Sequence, residues 1–443
     1  MKSVLVFSWI YGVLGSPLTA GQSSALAKTT LLNPLSSANN SDIAESTSVT
    51  LTSIVSHLDQ ADALTTPQSP ESALSAIQNI ISKGSPSIYD VGRGIAEAGL
   101  LPSDVISVLD GYLDSAIHSL TNQNTASVQN IYPKAAGDAP YSVPEDTLRA
   151  AIHIPDSFSF GRGRAPVILV PGTGIPAGMT FHFNFAKLGD SIPIDAVWVN
   201  LPRASLSDAQ VNTEYIAYTI NYIATLCGDR VAVLSWSQGG LNTQWALKYW
   251  PPTRAVVKDF IAISPGFHGT LVRSLVCPSL DLVLCTPSLW QQGWETEYIH
   301  TLRSDGGDSA YVPTTTVYST FDEIVQPMSG PNASAILGDE RRVGVTNVHL
   351  QSACTTMPAG GVYTHEGAYN PLAWALAIDA SLHDGPADLS RVNLAQVCQQ
   401  VLAPALDMKD LFGTEGLLLV AVAELVLYKP HALGEPPIVD YAS

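Results

Sequence analysis

Residues 233–240 read VLSWSQGG, and the setting of Ser237 within them decides the fold. The run RVAVLSW (230–236) is apolar and β-branched, so it predicts a strand ending at Trp236. Gln238-Gly239-Gly240 then opens a stretch of helical period. A strand that turns sharply into a helix leaves the intervening side chain at the carboxyl edge of the sheet, where open α/β folds place their sites. Backbones crowd at such an elbow, which calls for small residues two before and two after the nucleophile. Ser235 and Gly239 meet that need, with Ser235 where the common Gly-x-Ser-x-Gly form has a glycine. The plain alternative is an ordinary strand–turn–helix with Ser237 as helix cap.

Outward from the octet the chain alternates. PVILVPG (166–172), DAVWVN (195–200), DFIAIS (259–264) and TTTVYST (314–320) read as short strands. TEYIAYTINYIATL (213–226) and GGLNTQWALKYW (239–250) have helical period. Strands alternating with helices predict an α/β class, a mostly parallel sheet covered by helices on both faces.

Upstream the character changes. In residues 1–20, Lys2, an apolar core over 4–14 and following small residues predict a cleaved signal peptide, too short to span a bilayer. Residues 21–49 are rich in Ser and Thr and read as flexible. Residues 50–145 are expected to hold about three short helices, as a propeptide, lid or accessory region. The main domain is placed at 146–443, after the prolines 133, 140 and 144.

Of 443 residues, 46% are hydrophobic and 14% charged, with a net charge of −18, so a large core is available and phosphate backbones are repelled. Nucleic acid is excluded as a partner on that ground, and basic patches for anionic membranes are lacking. Five cysteines in a secretory context favour disulfides, with one thiol left over. Asn39 and Asn332 stand in glycosylation triplets, which fits a secreted, extracellular glycoprotein.

A serine nucleophile needs a base, and the base an orienting acid. In the chain order Ser, acid, His, the acid is expected at Asp322, just past a strand; its neighbour Glu323 is expected to point elsewhere. His365, flanked by glycines in GGVYTHEGAY, is the expected base, with His349 the main rival and His383 and His431 also downstream. An oxyanion needs donors. The Gln238 amide is one, and Thr173 in LVPGTG (169–174) is the other; a phosphate-cradling turn is the alternative there. No His/Cys/Glu cluster has zinc spacing, and neither metal nor cofactor is expected.

ILVPGTG, AQVNTEY, VLSWSQGGLNTQW, TPSLWQQ, VPTTTVYSTFDEIVQP and VLAP, in this order over about residues 150–443, resemble the fungal lipases related to Candida antarctica lipase B. The resemblance implies the α/β-hydrolase fold, with Ser237, Asp322 and His365 as catalytic triad and Thr173 and Gln238 as oxyanion hole. It implies that Trp236 floors the alcohol-side pocket and that Gln292, Ile324 and Val325 line the acyl side. The prototype has an acidic residue where Gly266 stands here, so the acyl pocket should differ. One of its disulfides is implied as Cys354–Cys398. Cys277 and Cys285, which it lacks, are expected to close a small loop of their own, leaving Cys227 free. The N-terminal 150 residues have no counterpart in the prototype. An apolar C-terminal helix lines the entrance in the family, and the run 416–428 is read as that helix rather than as an anchor, because it is short and broken by Glu424.

These residues lead to the expectation of a secreted serine lipase or esterase acting on triacylglycerols or related esters, a monomer touching lipid interfaces at most transiently. A catalytically silent binding protein of the same fold and a serine peptidase are the alternatives.

Overall fold

A computed structural model describes residues 67–81, 94–95, 97–100, 116–125, 131–132, 135–190, 192–271 and 285–443. The signal peptide, the segment 21–49, the helical stretch at 53–64, Asn39 and Cys277 lie outside them.

Seven strands form one sheet in the order β1-β3-β2-β4-β5-β6-β7. They are β1 (Ile152–His153), β2 (Ala165–Val170), β3 (Ile194–Val199), β4 (Val231–Trp236), β5 (Val257–Ile263), β6 (Thr314–Tyr318) and β7 (Val345–His349). Every neighbouring pair is parallel except β1, which runs antiparallel to β3. This is an α/β-hydrolase architecture. Its central strands are almost wholly buried, as double coverage requires; all six residues of β4 are buried. The two strands not foreseen have reasons to be faint. β1 is two residues long, and β7, VTNVH, is edge-like, with only Val348 fully buried.

Helices cover both faces. Seven are named here: α1 (Pro70–Ile81), α2 (Ala209–Cys227), α3 (Gln238–Tyr249), α4 (Glu297–Arg303), α5 (Pro371–Leu382), α6 (Met408–Glu415) and α7 (Leu417–Leu427). On one face α2 and α3 bury Tyr218, Tyr222, Trp245 and Trp250 against Val233 and Phe260 of the sheet, with Tyr298 of α4 stacked on Trp245 at 4.5 Å. Helix α2 is buried on nearly every side from Ala209 to Ala224, because the chain's last residues cross over it. There Gln210 takes the Val439 N–H (2.9 Å) and donates to Pro437 O (3.1 Å).

The other face carries α5, α6 and α7, with Trp374, Leu411 and Leu417 in one core with Leu169, Leu234 and Trp236. Helix α1 joins that same core through Ala73, Ile77 and Ile80, the i, i+4, i+7 stripe of an amphipathic helix. The segment at 117–119 is tied to the end of β3: Trp198 Nε1 and Asn200 Nδ2 both donate to Ile117 O, at 2.9 and 3.0 Å.

Cys354 and Cys398 are joined, with Cα atoms 5.3 Å apart. Cys285 is also disulfide-bonded, and the partner expected for it, Cys277, lies outside the described residues. Cys227 is free and half-buried; burial pushes its thiol up to about 11, which keeps it protonated and unreactive.

Candidate active site

Ser237 joins β4 to α3 with φ 55° and ψ −126°, a backbone conformation rare for a residue with a side chain. Its N–H is held by Ile263 O at 2.9 Å. Two positions on, a Cβ on Gly239 would stand 2.6 Å from Val170 O and 2.7 Å from Pro171 O. Both atoms are backbone, so only glycine fits there. Ser235, in the place of the usual first glycine, is fully buried and its hydroxyl reaches Ile261 O at 3.4 Å. The elbow therefore tolerates a small side chain before the turn but none after it.

The turn after β6 delivers Asp322. Its Oδ1 accepts the N–H groups of Ile324 (2.9 Å) and Val325 (2.7 Å), which fix the carboxylate. Its Oδ2 accepts from His365 Nδ1 at 2.9 Å. Both side chains are buried, so the bond is made in a low-dielectric setting. Burial alone would lower the His365 pKa; the Asp322 charge and hydrogen bond, and then Glu323, overcome it and leave the imidazole above its ordinary value. Trp236 braces the same histidine from the elbow. Its indole N–H donates to His365 O at 2.8 Å, and the two rings lie 5.0 Å apart.

Glu323 departs from expectation. It does not point away but accepts the His365 backbone N–H at 3.0 Å. The rival base His349 is taken up elsewhere: its Nε2 pairs with Thr320 (2.6 Å) and its Nδ1 with Ser352 (2.7 Å).

These groups open on a cleft enclosing about 670 Å³, part of it open to solvent. Its lining includes Ser237, His365, Trp236, Thr173, Gln292, Ile324 and Val325 of the expected residues. It also includes Ile175, Thr270, Leu289 and Glu366, which no local pattern in the sequence marks. Leu418, Ala421 and Leu425 line it from α7, so the apolar C-terminal run is a wall of the cavity. No helix among the described residues is long and apolar enough to cross a membrane. Gly266 is not in the lining but lies behind it; a Cβ there would touch Val325 at 3.4 Å.

Thr173 sits on the loop after β2. Its hydroxyl and the Gln292 side chain are paired, with Gln292 Nε2 donating to Thr173 Oγ1 at 3.1 Å. The neighbouring Gly174 has φ 77° and comes so close to α7 that an added Cβ would meet Ala421 at 3.2 Å. Gly174 N–H donates to Ala204 O at 2.8 Å. Ala204 belongs to a turn in which Arg203, Ala204 and Ser205 are all left-handed, with φ of 55°, 52° and 65°. Gln238 is the first residue of α3, so its N–H has no partner within the helix and points with the helix dipole toward the elbow.

Three glutamates stand behind the histidine, Glu366 and Glu415 buried and Glu323 half-buried. Glu323 and Glu366 flank it, and Glu415 of α6 accepts from Thr364 Oγ1 (3.0 Å) and Tyr369 OH (2.7 Å). Burial first, then the neighbouring acids, pushes Glu323 and Glu415 up to about 7 and Glu366 well above its ordinary value. Among the described residues no group of three or more His, Cys, Asp or Glu is placed to hold a metal ion.

Set beside known proteins, the chain is similar to Aspergillus fumigatus lipase B, whose crystal structure matches with a TM-score of 0.86 at 59% identity, over 93% of this chain and 100% of that one. That coverage carries the likeness well into the N-terminal region. Lipase B of Pseudozyma antarctica is 35% identical over 227 residues, 50% of this chain and 63% of that protein, so the match spans less than two thirds of that relative. No protein-family model matches the sequence.

Proposed function

This chain belongs to the fungal lipase B family, and from that premise we propose that it is a secreted serine lipase or esterase acting through an acyl-enzyme. The observation that carries the reading is His365, hydrogen-bonded to buried Asp322, lining the same cavity as Ser237 at its elbow. His365 takes the Ser237 proton and Ser237 Oγ attacks the ester carbonyl. Asp322 holds the imidazole in the tautomer whose other nitrogen is free to act, and stabilises the imidazolium that forms. The oxyanion is received by the Gln238 N–H and by the N–H and hydroxyl of Thr173. The alcohol leaves with the proton from His365, and water then attacks the acyl-enzyme with the same histidine as base.

The apolar walls given by Ile324, Val325, Leu418, Ala421 and Leu425 suit acyl chains, hence triacylglycerols or related lipid esters. The mechanism needs no cofactor. A leader at residues 1–20 and the exposed Asn332 are in keeping with export and glycosylation. The protein is read as a monomer whose contact with lipid interfaces is transient. A rate comparison across p-nitrophenyl esters from acetyl to palmitoyl tests the reading, with Ser237→Ala as control. Hydrolysis that survives in the Ser237→Ala protein would overturn it.

A further inference from the structure

Glu323, Glu366 and Glu415 come from three separate parts of the chain and meet beside His365, in a region that holds no compensating lysine or arginine among the ion pairs of the described residues. Glu366 is 2% exposed and Glu415 fully buried. One oxygen of each glutamate, Glu323 Oε1, Glu366 Oε2 and Glu415 Oε2, is shut off from solvent and finds no N–H or O–H donor. The donors that do reach the glutamates, the His365 N–H on Glu323 and the Thr364 and Tyr369 hydroxyls on Glu415, serve their other oxygens. Three carboxylates in one dry site cannot all be ionised, because like charges at this range force protons onto the group. The donors missing for the orphaned oxygens are those protons.

We propose that Glu323, Glu366 and Glu415 form a proton-sharing carboxylate cluster in which Glu323 is a positioning residue for His365, with Glu366 donating to it from the cavity wall and Glu415 supporting the pair from α6. The inference rests on the reading of His365 as the base. Glu323 acts in two ways. It fixes the His365 backbone through the N–H bond, and its fraction of negative charge favours the imidazolium. The cluster titrates as a unit, so its charge belongs to the group rather than to one glutamate. The titratable groups that face it are Asp322 and His365 on the flanking loops and Tyr369, with Tyr363 beside that ring. Burial lifts both phenols far above their ordinary value, so they remain neutral donors.

The consequence is a pH profile set by more than one acid. In Glu323→Gln the negative charge beside His365 is gone, so the imidazolium loses its proton more easily. The acid limb of kcat/KM then moves down by about one pH unit, the lower end of what a neighbouring charge does. Glu366→Gln keeps a donor toward Glu323 and is expected to leave the limb near the wild-type position. Glu366→Leu removes that donor, Glu323 takes up the proton itself, and the limb moves down as in Glu323→Gln. Rescue by Gln but not Leu separates proton donation from mere filling of space. If Glu323→Gln does not fold, Glu415→Gln serves in its place and is expected to give a smaller shift of the same sign.

An infrared arm is independent of turnover. The Ser237→Ala protein should show the C=O bands of protonated buried carboxyls at neutral pH, that of Asp259 among them, and Glu366→Gln on that background should remove the part due to the cluster. A wild type that hydrolyses no ester but loses band intensity on Glu366→Gln sinks the enzymatic reading and leaves the cluster standing. Band intensity unchanged by Glu366→Gln, or pH profiles of Glu323→Gln and wild type that superimpose, overturns the cluster.

Discussion

The two faces of the sheet each bury acid, and they treat it differently. On the α2 face, Glu214 is almost fully buried and every hydrogen bond it needs is supplied from one place. Its Oε2 accepts the N–H groups of Ser142 (2.7 Å) and Val143 (2.9 Å), and its Oε1 accepts the Ser142 hydroxyl (2.7 Å). On the α6 face, Glu323, Glu366 and Glu415 each keep an oxygen without a donor. The first arrangement pins the segment before the sheet to a helix. The second keeps protons near a histidine. A buried acid with all its donors is a fastener, whereas buried acids short of donors hold a charge state that can change.

The largest expected effect tests the site side of this contrast. Asp322→Asn should keep the fold, since the two backbone N–H groups still find the side-chain oxygen, yet lower kcat/KM on a short p-nitrophenyl ester by about 10⁴-fold through loss of the correct histidine tautomer. A drop of less than tenfold would move the acid's role to Glu323 and erase the distinction drawn here. The second test is on the fastener. Glu214→Gln turns an amide N–H₂ toward donors that need an acceptor. It should cost about 2 kcal/mol or more of stability in denaturant unfolding and leave kcat/KM within about twofold.

The third and smallest test is a case that strains the rule. Asp259, at the amino end of β5 and far along the strand from the elbow, is fully buried with neither oxygen partnered. Burial pushes it up to about 8, with Lys258 opposing and Asp384 adding to the rise. The folded state therefore holds a proton that the unfolded chain gives up near its ordinary value. The stability this confers is present below about pH 4 and is lost as pH rises through about 8. Asp259→Asn should reduce the pH dependence of the thermal midpoint over that window, leaving the share that comes from Glu323, Glu366 and Glu415, with no change in turnover at fixed pH. If turnover fell instead, short-of-donor acids would signal function at both ends of the sheet.

Much of this was legible in the sequence, for local reasons. The central strands announce themselves as apolar runs, and Gly239 is demanded by two carbonyl oxygens that any elbow of this kind brings close. Chain order singled out Asp322 and His365, and the fold joins them in a hydrogen bond. The carboxylate cluster was not legible, because Glu323, Glu366 and Glu415 are brought together only by tertiary folding. Glu415 reads locally as the end of a short helix, and Glu323 as the idle neighbour of Asp322. The apolar run at 416–428 had the length of a buried helix, but which of its faces lines the cavity depends on its approach to Gly174.

The turn at Arg203–Ser205 has a consequence for how such a protein can change over generations. Three successive left-handed residues without a glycine cost on the order of 1–3 kcal/mol each, and the Ala204 carbonyl they aim holds the loop that carries Thr173. A mutant library screened only for survival of heating should therefore enrich glycine or asparagine at these codons. The survivors should carry a slacker Thr173 loop and turn over more slowly, so that durability and speed pull the same three positions in opposite directions.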